Sequence, residues 1–390
     1  MSERRIRRPA AAGSLAVLGL VLLVLPLYLQ AFWLQVGLIA MASMVGALGL
    51  NLLVGVTGQL SLAHAFFLAV GAYGYAFLSG GSSTVGGVTV SGLGLPTPLA
   101  AILAVAAAGL AGVLFAPIAG RLRGIYLGLA SLSLVFLGQH LLFNVTPVTG
   151  GFSGRAVPDL EVLGFSFNPD QPTLSVFGVP LGAAERLWYL ALAVLAFGCA
   201  FVWNVTRTRP GRALLMVRDN EIAAGCLGIP VRQYKAAAFA VSSMLAGAAG
   251  VLLALAFRRV VPEYFGLLLS IDFLAMIVIG GLGSVTGAAL GAAFVSALPL
   301  ALAHYSEHLP FLAAPGSEGV APGVAARLIF GAMVVAILLA EPKGAVALAR
   351  RVGGLVGRRP TDPSDTDSND PSTAAEIPAD LVQGRSARHA

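Results

Sequence analysis

Seven side chains capable of hydrogen bonding stand inside an otherwise apolar stretch, GLNLLVGVTGQLSLAHAFFLAVGAYGYAF, over residues 49–77, and four of them are candidates for a function. Amide, hydroxyl and imidazole groups in this setting have two readings. They line a wet passage or its gate, beside a break at Gly55–Gly58 that exposes backbone to a cavity, or they bond across packed helices. For any single residue we favour a hydrogen bond between packed helices. For the four residues together we favour a structured turn that shapes a transport pathway. The four residues are Asn51, Gln59, Ser61 and His64.

Charged chemistry inside the apolar segments is limited essentially to one acid, Asp272. Buried ionisable residues serve as proton relays or ion ligands in ion-coupled transporters. Ser270, two residues earlier, is instead suited to cap a helix, and an acid in the first turn of a helix is favoured by the helix dipole. We therefore predict that Asp272 is a capping acid near the outer surface and that this chain has no energy coupling of its own.

Motifs for catalysis, nucleotide binding and metal binding do not occur in the sequence. The lysines, Lys235 and Lys343, stand outside any G-x-x-x-x-G-K-[ST] motif, and neither H-E-x-x-H nor G-x-S-x-G is present. No second ligand lies at a metal-site spacing from His64. We expect no catalytic residues, no metal and no cofactor in this chain, so any uphill transport takes its energy from a partner.

The elements that must position these residues are membrane-spanning helices. Hydrophobic residues form 57% of the 390-residue chain, charged residues 11%, and the mean hydropathy is +0.86, whereas soluble domains carry about 25% charged residues. The apolar run after MSERRIRRP is longer than a signal-peptide core and indicates a first anchor. The prediction is an all-α polytopic membrane protein of about ten transmembrane helices. They are expected at 14–30, 32–54, 60–79, 98–119, 124–143, 187–205, 235–256, 268–283, 285–303 and 323–341.

The distribution of basic residues predicts the orientation. An N-terminus in the cytoplasm puts most of the 24 Arg and Lys residues on the cytoplasmic side, which also places the C-terminus inside. The net charge of +6 therefore reflects topology and not nucleic-acid binding. The predicted regions are a basic cytoplasmic N-terminus (1–13), a transmembrane domain (14–343) with an inner loop (206–234) and an outer loop (144–185), and a largely disordered cytoplasmic tail (344–390).

The inner loop RTRPGRALLMVRDNEIAAGCLGIPVRQYK is a candidate docking site for a partner protein. Either Asn220 or Asp219 is placed to cap a short helix, and Gly228 is placed to end it. Small residues let such a helix lie close in a groove on another protein. A solvated basic loop that only sets topology is the alternative, and the number of arginines does not separate the two.

Several blocks of sequence, in order from about Val36 to Gly344, resemble one family. RDNEIAAGCLGIP is similar to the cytoplasmic EAA loop of bacterial ABC-importer permeases. LGLNLLVGVTGQLSLAHAFFLAVGAY resembles the signature N-L-L-x-G-x-x-G-Q-x-S-x-G-H-A-x-F. VPEYFGLLLSIDFLAMIVIGGLGSVTGAALGA resembles the block P-E-x-F…S-I-x-x-L-x-M-V-x-x-G-G-x-G-S-x-x-G, and EPKG fits a P-x-G ending. These are the motifs of LivM-type permease subunits of branched-chain amino acid ABC importers.

The resemblance implies an ABC-importer permease bundle in the bacterial inner (plasma) membrane. The implied partners are a second homologous permease, two cytoplasmic ATPases that bind ATP and Mg²⁺, an extracytoplasmic substrate-binding protein and membrane lipid. The chain itself would bind no nucleotide, and would move branched-chain or other hydrophobic amino acids inward by alternating access. Motion of the ATPases would enter through the predicted coupling residues, Arg218, Asn220, Glu221, Ala223, Ala224 and Gly228.

The sequence departs from the family pattern in two places. Ala63 replaces the glycine that usually precedes His64, and the block T-G-G-S-D-G-L reads TGGFSGR here. Phe152, Ser153 and Arg155 thus stand where Ser, Asp and Leu are usual. The matching residues of this block, Thr149, Gly150 and Gly151, join Asn51, Gln59, Ser61 and His64 as candidate translocation-pathway residues.

Two other functions stay open from the sequence. A permease for urea or short amides has the same architecture and a similar sequence. A stand-alone secondary transporter or channel belongs to a different class, and the EAA-like loop and the scarcity of buried charge count against it. The cargo is not named by the sequence, because selectivity is expected to reside mainly in the separate binding protein.

Overall fold

The computed structural model describes residues 19–85, 88–122, 124–162, 165–166, 174–176, 179–305 and 321–340. The predicted N-terminal region 1–13 and the tail 344–390 lie outside these residues. The helices are α1 (Ala31–Leu50), α2 (His64–Ser79), α3 (Thr97–Arg121), α4 (Ile125–Asn144), α5 (Thr146–Thr149), α6 (Ala183–Arg207), α7 (Arg209–Asp219), α8 (Glu221–Cys226), α9 (Val231–Phe257), α10 (Leu267–Gly280), α11 (Val285–His304) and α12 (Pro322–Ala340).

Strands are a minor part of the described chain, so the prediction of an all-α protein is confirmed. Each strand is two or three residues long, and each pairs antiparallel with one other in a two-stranded sheet. The pairs are β1 (Ser83–Val85) with β2 (Val88–Val90), β3 (Arg155–Ala156) with β8 (Arg259–Val260), β4 (Glu161–Val162) with β5 (Phe165–Ser166), and β6 (Leu174–Val176) with β7 (Val179–Leu181).

The chain is a multi-pass membrane protein. Among the described residues, six helices are long and apolar enough to cross a membrane: α3, α4, α6, α9, α11, and α1 with its continuation to Val56. The shorter apolar helices α2, α10 and α12 coincide with three more predicted spans. The predicted first span at 14–30 is only partly described, so the count of about ten stays a prediction.

Helix α9 is the centre of the bundle and packs against α1, α2 and α3. Glycines allow this close packing. A methyl group at Gly71 on α2 would lie 2.7 Å from the carbonyl carbon of Gly247 on α9, and one at Gly250 would lie 2.9 Å from the carbonyl carbon of Leu68. Gly247 and Gly250 thus form a helix-packing surface on α9.

We expect Gly71→Ala to destabilise the protein by about 1–3 kcal/mol, because α2 and α9 must move apart to admit the methyl group. Gly331→Ala on α12 is the matched control, since a methyl group there meets nothing within 4 Å. Both changes share the helix-propensity gain of Ala over Gly, so their difference isolates packing. The measurement is the thermal unfolding midpoint of the purified protein in detergent, and equal midpoints for the two variants would contradict the prediction.

The connections between helices gather at two ends of the bundle. At one end, Arg218 Nη1 donates a hydrogen bond to the carbonyl oxygen of Gly55, and the N–H of Leu62 donates to Ser131 Oγ at 2.8 Å. We call this the basic end, because it carries the loop 206–234. The loops at the other end meet at Arg155, described below. This grouping matches the predicted alternation of inner and outer loops, in which the basic end faces the cytoplasm.

Candidate functional site

Helix α8 at the basic end is defined by local hydrogen bonds at both of its ends. The side-chain oxygen of Asn220 accepts from the N–H groups of Ile222 and Ala223 at 3.0 and 3.1 Å. At the other end Gly228 adopts a φ of +80°, and its N–H and that of the next residue bond back to carbonyls of the helix. This is a Schellman ending. The predicted cap and the predicted end of the helix are both confirmed.

Helix α8 buries a small residue and exposes large apolar ones. Ala224 is 1% exposed, whereas Ile222 and Leu227 are 70% and 68% exposed. Ala223 and Gly228 are also exposed. Contiguous exposed apolar patches mark protein interfaces, so Ile222 and Leu227 on one short helix make α8 a candidate contact surface. The small residues of this loop predicted the docking helix, but the pattern did not single out Ile222 and Leu227, whose signal is their size within a segment of small residues.

An ion pair ties α8 to α9. The carboxylate of Glu221 contacts the ammonium of Lys235, and the side chains are 27% and 4% exposed, respectively. A buried ammonium group is strongly destabilising without a counter-charge. Lys235 therefore holds α8 against the start of the central helix, a contact that sequence reasoning did not foresee.

Arg218 connects the same loop to an interruption in α1. The helix continues past Leu50 as a π-helix over Asn51–Val56, a rare form that is frequent at functional sites. Arg218 Nη1 donates to the carbonyl oxygen of Gly55 at 2.5 Å. The charge-assisted bond anchors the end of α7 on this interrupted turn.

Asn51 joins this interruption to the turn between α10 and α11. Its Oδ1 accepts from the N–H of Gly283 at 2.8 Å, and its Nδ2 donates to the carbonyl oxygen of Ser284 at 3.2 Å. Gly281 and Gly283 have φ values of +110° and +80°, a region open to glycine but not to most residues. Asn51 is fully buried, and both ends of its amide are bonded, so it serves as an interhelical link.

The other polar residues near this break are only partly satisfied. Gln59 Nε2 donates to Thr57 Oγ1 at 2.9 Å, and Ser61 Oγ accepts from the N–H of Ala63 at 3.4 Å. Gln59 Oε1 and His64 Nε2 are buried without a hydrogen-bond partner. Among the described residues, no group of three or more His, Cys, Asp or Glu side chains is placed to hold a metal ion.

The prediction that Asp272 is a capping acid is wrong. Helix α10 begins at Leu267 after an extended Gly266, with no acid in its first turn, so Asp272 lies in the second turn. Ser270 Oγ instead accepts from the N–H of Ala65 at 3.0 Å, at the start of the neighbouring helix α2. The prediction failed because the helix starts earlier, inside an apolar run that contains no polar cap to mark it.

Thr149, Gly150 and Gly151 form a turn at the end of the bundle opposite to Asn51. The two glycines have φ values of +77° and +55°, and Thr149 Oγ1 accepts from the N–H of Gly151 at 3.1 Å. Helix α2 runs between the two ends, and its 16 residues extend for about 24 Å. The seven candidate pathway residues thus fall into two groups, one at each end.

Arg155, one of the departures from the family pattern, holds the loops of this opposite end together. Its side chain is buried, and its Nη1 donates to the carbonyl oxygens of Ser91 and Val148 at 2.6 and 2.9 Å. The guanidinium carbon also lies 5.7 Å from the ring centre of Phe77. Burial lowers the pKa of the guanidinium, and the two carbonyls compensate the buried charge. Arg155 is therefore a structural residue in this protein.

Residues 32–353 match the family described as "Branched-chain amino acid transport system / permease component". The high-affinity branched-chain amino acid transport system permease protein LivM of Escherichia coli (strain K12) is 30% identical over 328 residues, which are 81% of this chain and 70% of LivM. The high-affinity branched-chain amino acid transport system permease protein BraD of Pseudomonas aeruginosa is 27% identical over 248 residues, which are 63% of this chain and 76% of BraD. The ribose import permease protein RbsC of Haemophilus influenzae is 26% identical over 216 residues, 53% of this chain and 60% of RbsC.

No solved structure matches the chain. The resemblance drawn from the motifs is nevertheless confirmed, because the family match covers most of the chain and includes both α8 and the interrupted helix α1. The chain belongs to the family of branched-chain amino acid transport system permease components.

Proposed function

We propose that this chain is the transmembrane permease subunit of an ATP-driven importer that carries branched-chain or other hydrophobic amino acids inward. The observation that carries the proposal is helix α8, a capped and ion-paired helix outside the spans that exposes Ile222 and Leu227. The names of LivM and BraD support the choice of cargo. The importer works in the bacterial inner membrane, and this chain binds no ATP, metal or cofactor.

The partner at α8 is a cytoplasmic ATPase, one of two in the importer. Its groove takes up the exposed apolar face of α8, and two contacts transmit its motion to the spans. The Glu221–Lys235 ion pair leads into α9, and the Arg218–Gly55 hydrogen bond leads into the interrupted end of α1. From there Asn51 reaches the turn after α10. Four helices of one bundle are thereby connected to a single docking helix.

The passage for the cargo is completed by a second, homologous permease subunit. Gln59 Oε1 and His64 Nε2, buried without partners, supply its polar groups near the basic end, while Ser61 and Asn51 keep the helix break in shape. The turn at Thr149–Gly151 belongs to the opposite end, where an extracytoplasmic binding protein delivers the cargo. Non-helical backbone at membrane depth is stable where protein or water satisfies it, and the bonds around this break meet that condition.

The test is uptake of labelled leucine in cells that lack this gene and whose other leucine importers have been deleted. We expect uptake to fall to background, to return when the gene is restored, and to be inhibited by excess valine but not by urea. Uptake of labelled urea that depends on the gene, with unchanged leucine uptake, would instead support the urea or short-amide permease. Gene-dependent uptake without the partner ATPases would contradict the ABC mechanism and indicate a stand-alone transporter.

A further inference from the structure

A cavity of about 390 Å³ lies between helices α1, α9, α10, α11 and α12. The end of α9 and the starts of α10 and α12 contribute to it, so it belongs to the half of the bundle opposite to the basic end. None of the seven candidate pathway residues lines it. Its volume is within the range of small-molecule sites, about 300–1,000 Å³.

The walls of this cavity are mainly apolar. Phe273, Met276, Val295 and Phe330 line it and are buried. A mainly apolar wall with a few polar groups that converge on it is the usual composition of a ligand site. Such a wall suits an aliphatic side chain.

Three charged side chains line the same cavity: Glu263, exposed in the connection before α10, Asp272 on α10 and Arg327 on α12. Asp272 and Arg327, the two that lie within helices, are close enough to interact electrostatically, but among the described residues no direct ion pair joins them. Asp272 does not cap its helix, as shown above, so helix termination does not explain an acid at this position. Ionisable residues inside membrane segments are rare and often mark the route of a substrate.

The opposite charges of Asp272 and Arg327 determine which kind of ligand fits the cavity. A cation alone would be attracted by Asp272 and repelled by Arg327, and an anion alone would meet the reverse. A ligand that carries both an ammonium and a carboxylate satisfies both residues at once. The planar guanidinium of arginine is well matched to a carboxylate.

We infer that this cavity binds the zwitterion of an aliphatic amino acid during its passage through the importer. The carboxylate of Asp272 faces the α-ammonium of the ligand, the guanidinium of Arg327 faces its α-carboxylate, and the apolar wall receives its side chain. This inference rests on the proposed function, since it assigns a binding site to the proposed cargo.

The test uses the complete importer in lipid nanodiscs and a reporter cysteine on the cavity wall. Cys199 and Cys226 are replaced by serine, and Ser296→Cys, a nearly isosteric change at a half-buried lining residue, is introduced. The rate of its modification by a small methanethiosulfonate is measured with leucine, with 4-methylpentanoate, which lacks the ammonium, and with 3-methylbutylamine, which lacks the carboxylate. We expect leucine to slow the reaction and neither analogue to do so at the same concentration.

Two charge-neutralising variants, Asp272→Asn and Arg327→Gln, should each raise the leucine concentration for half-maximal protection by about tenfold or more, because each removes a bond to a charged group. Glu185→Gln is the matched control, an acid at the same end of the bundle that lies outside the cavity, and it should leave protection unchanged. Yield of assembled importer is measured for every variant, so loss of folding is recognised separately.

Three results would overturn the inference. The first is that leucine gives no protection. The second is equal protection by 4-methylpentanoate, which would indicate a site for fatty acid or lipid. The third is a reporter cysteine that does not react at all, which would place the cavity beneath another subunit. Leucine uptake by the same importer in proteoliposomes distinguishes a failure of this binding site from a failure of the proposed function. Uptake without protection rejects only this site, whereas an importer that moves no leucine rejects the proposed function.

Discussion

Glu221→Lys is expected to abolish transport, reducing leucine uptake by roughly 100-fold or more. The side chain of Lys235 is 4% exposed and has Glu221 as its counter-charge. Removing one member of a buried pair costs about 3–5 kcal/mol, and a second ammonium at this place adds repulsion. Helix α8 should then detach from α9, so that motion of the ATPase no longer reaches the central helix. Leucine uptake and the amount of ATPase that copurifies with the permease are the measurements.

The control for this variant is Asp219→Lys, which makes the same change of charge at an exposed neighbouring acid. It should leave leucine uptake within about twofold of wild type, because exposed charges contribute little to stability. The exchange Glu221→Lys with Lys235→Glu restores opposite charges across the contact and should recover part of the uptake. No recovery in the exchange variant, despite normal assembly, would show that Glu221 does not act through Lys235.

Asn51→Ala is expected to destabilise the protein by roughly 1–3 kcal/mol and to reduce uptake at least tenfold. The change removes both hydrogen bonds of a buried amide, to the N–H of Gly283 and the carbonyl of Ser284, and each bond contributes about 0.5–1.5 kcal/mol because Gly283 is exposed and Ser284 half-buried. The turn between α10 and α11 is then no longer held to the interrupted end of α1. The midpoint of thermal unfolding and leucine uptake are measured on the same preparations.

Two further variants decide what Asn51 does. Asn144→Ala is the matched control, since that amide is exposed and bonds the carbonyl of His140 in its own helix at 2.8 Å. Asn51→Asp keeps the acceptor for Gly283 but buries a carboxylate opposite the carbonyl of Ser284, so its midpoint should be at least as low as that of Asn51→Ala. An unfolding midpoint of Asn51→Ala equal to wild type, together with altered uptake, would contradict the link and assign Asn51 to the wall of the passage.

The structure changes the interpretation of the polar residues in the apolar stretch at 49–77. The sequence left two readings for Asn51, a passage wall or an interhelical bond, and the structure shows the bond. For His64 and Gln59 it shows buried atoms without partners, which is why they stay in the proposed passage. Hydropathy alone does not separate these cases, because all three residues stand in the same apolar surroundings.

The membrane-spanning helices, the family and the capped helix α8 were predictable from the residue pattern alone. Each follows from residues close together in the chain: a bilayer demands about 20 consecutive apolar residues, and a helix cap involves groups two or three residues apart. Three other features arise only when the helices pack: the contact of Arg218 with Gly55, the contact of Asn51 with Gly283, and the cavity that Asp272 shares with Arg327. These partners are far apart in sequence, and they meet because of how small-residue surfaces pack the helices together, which the apolar pattern of each helix does not specify.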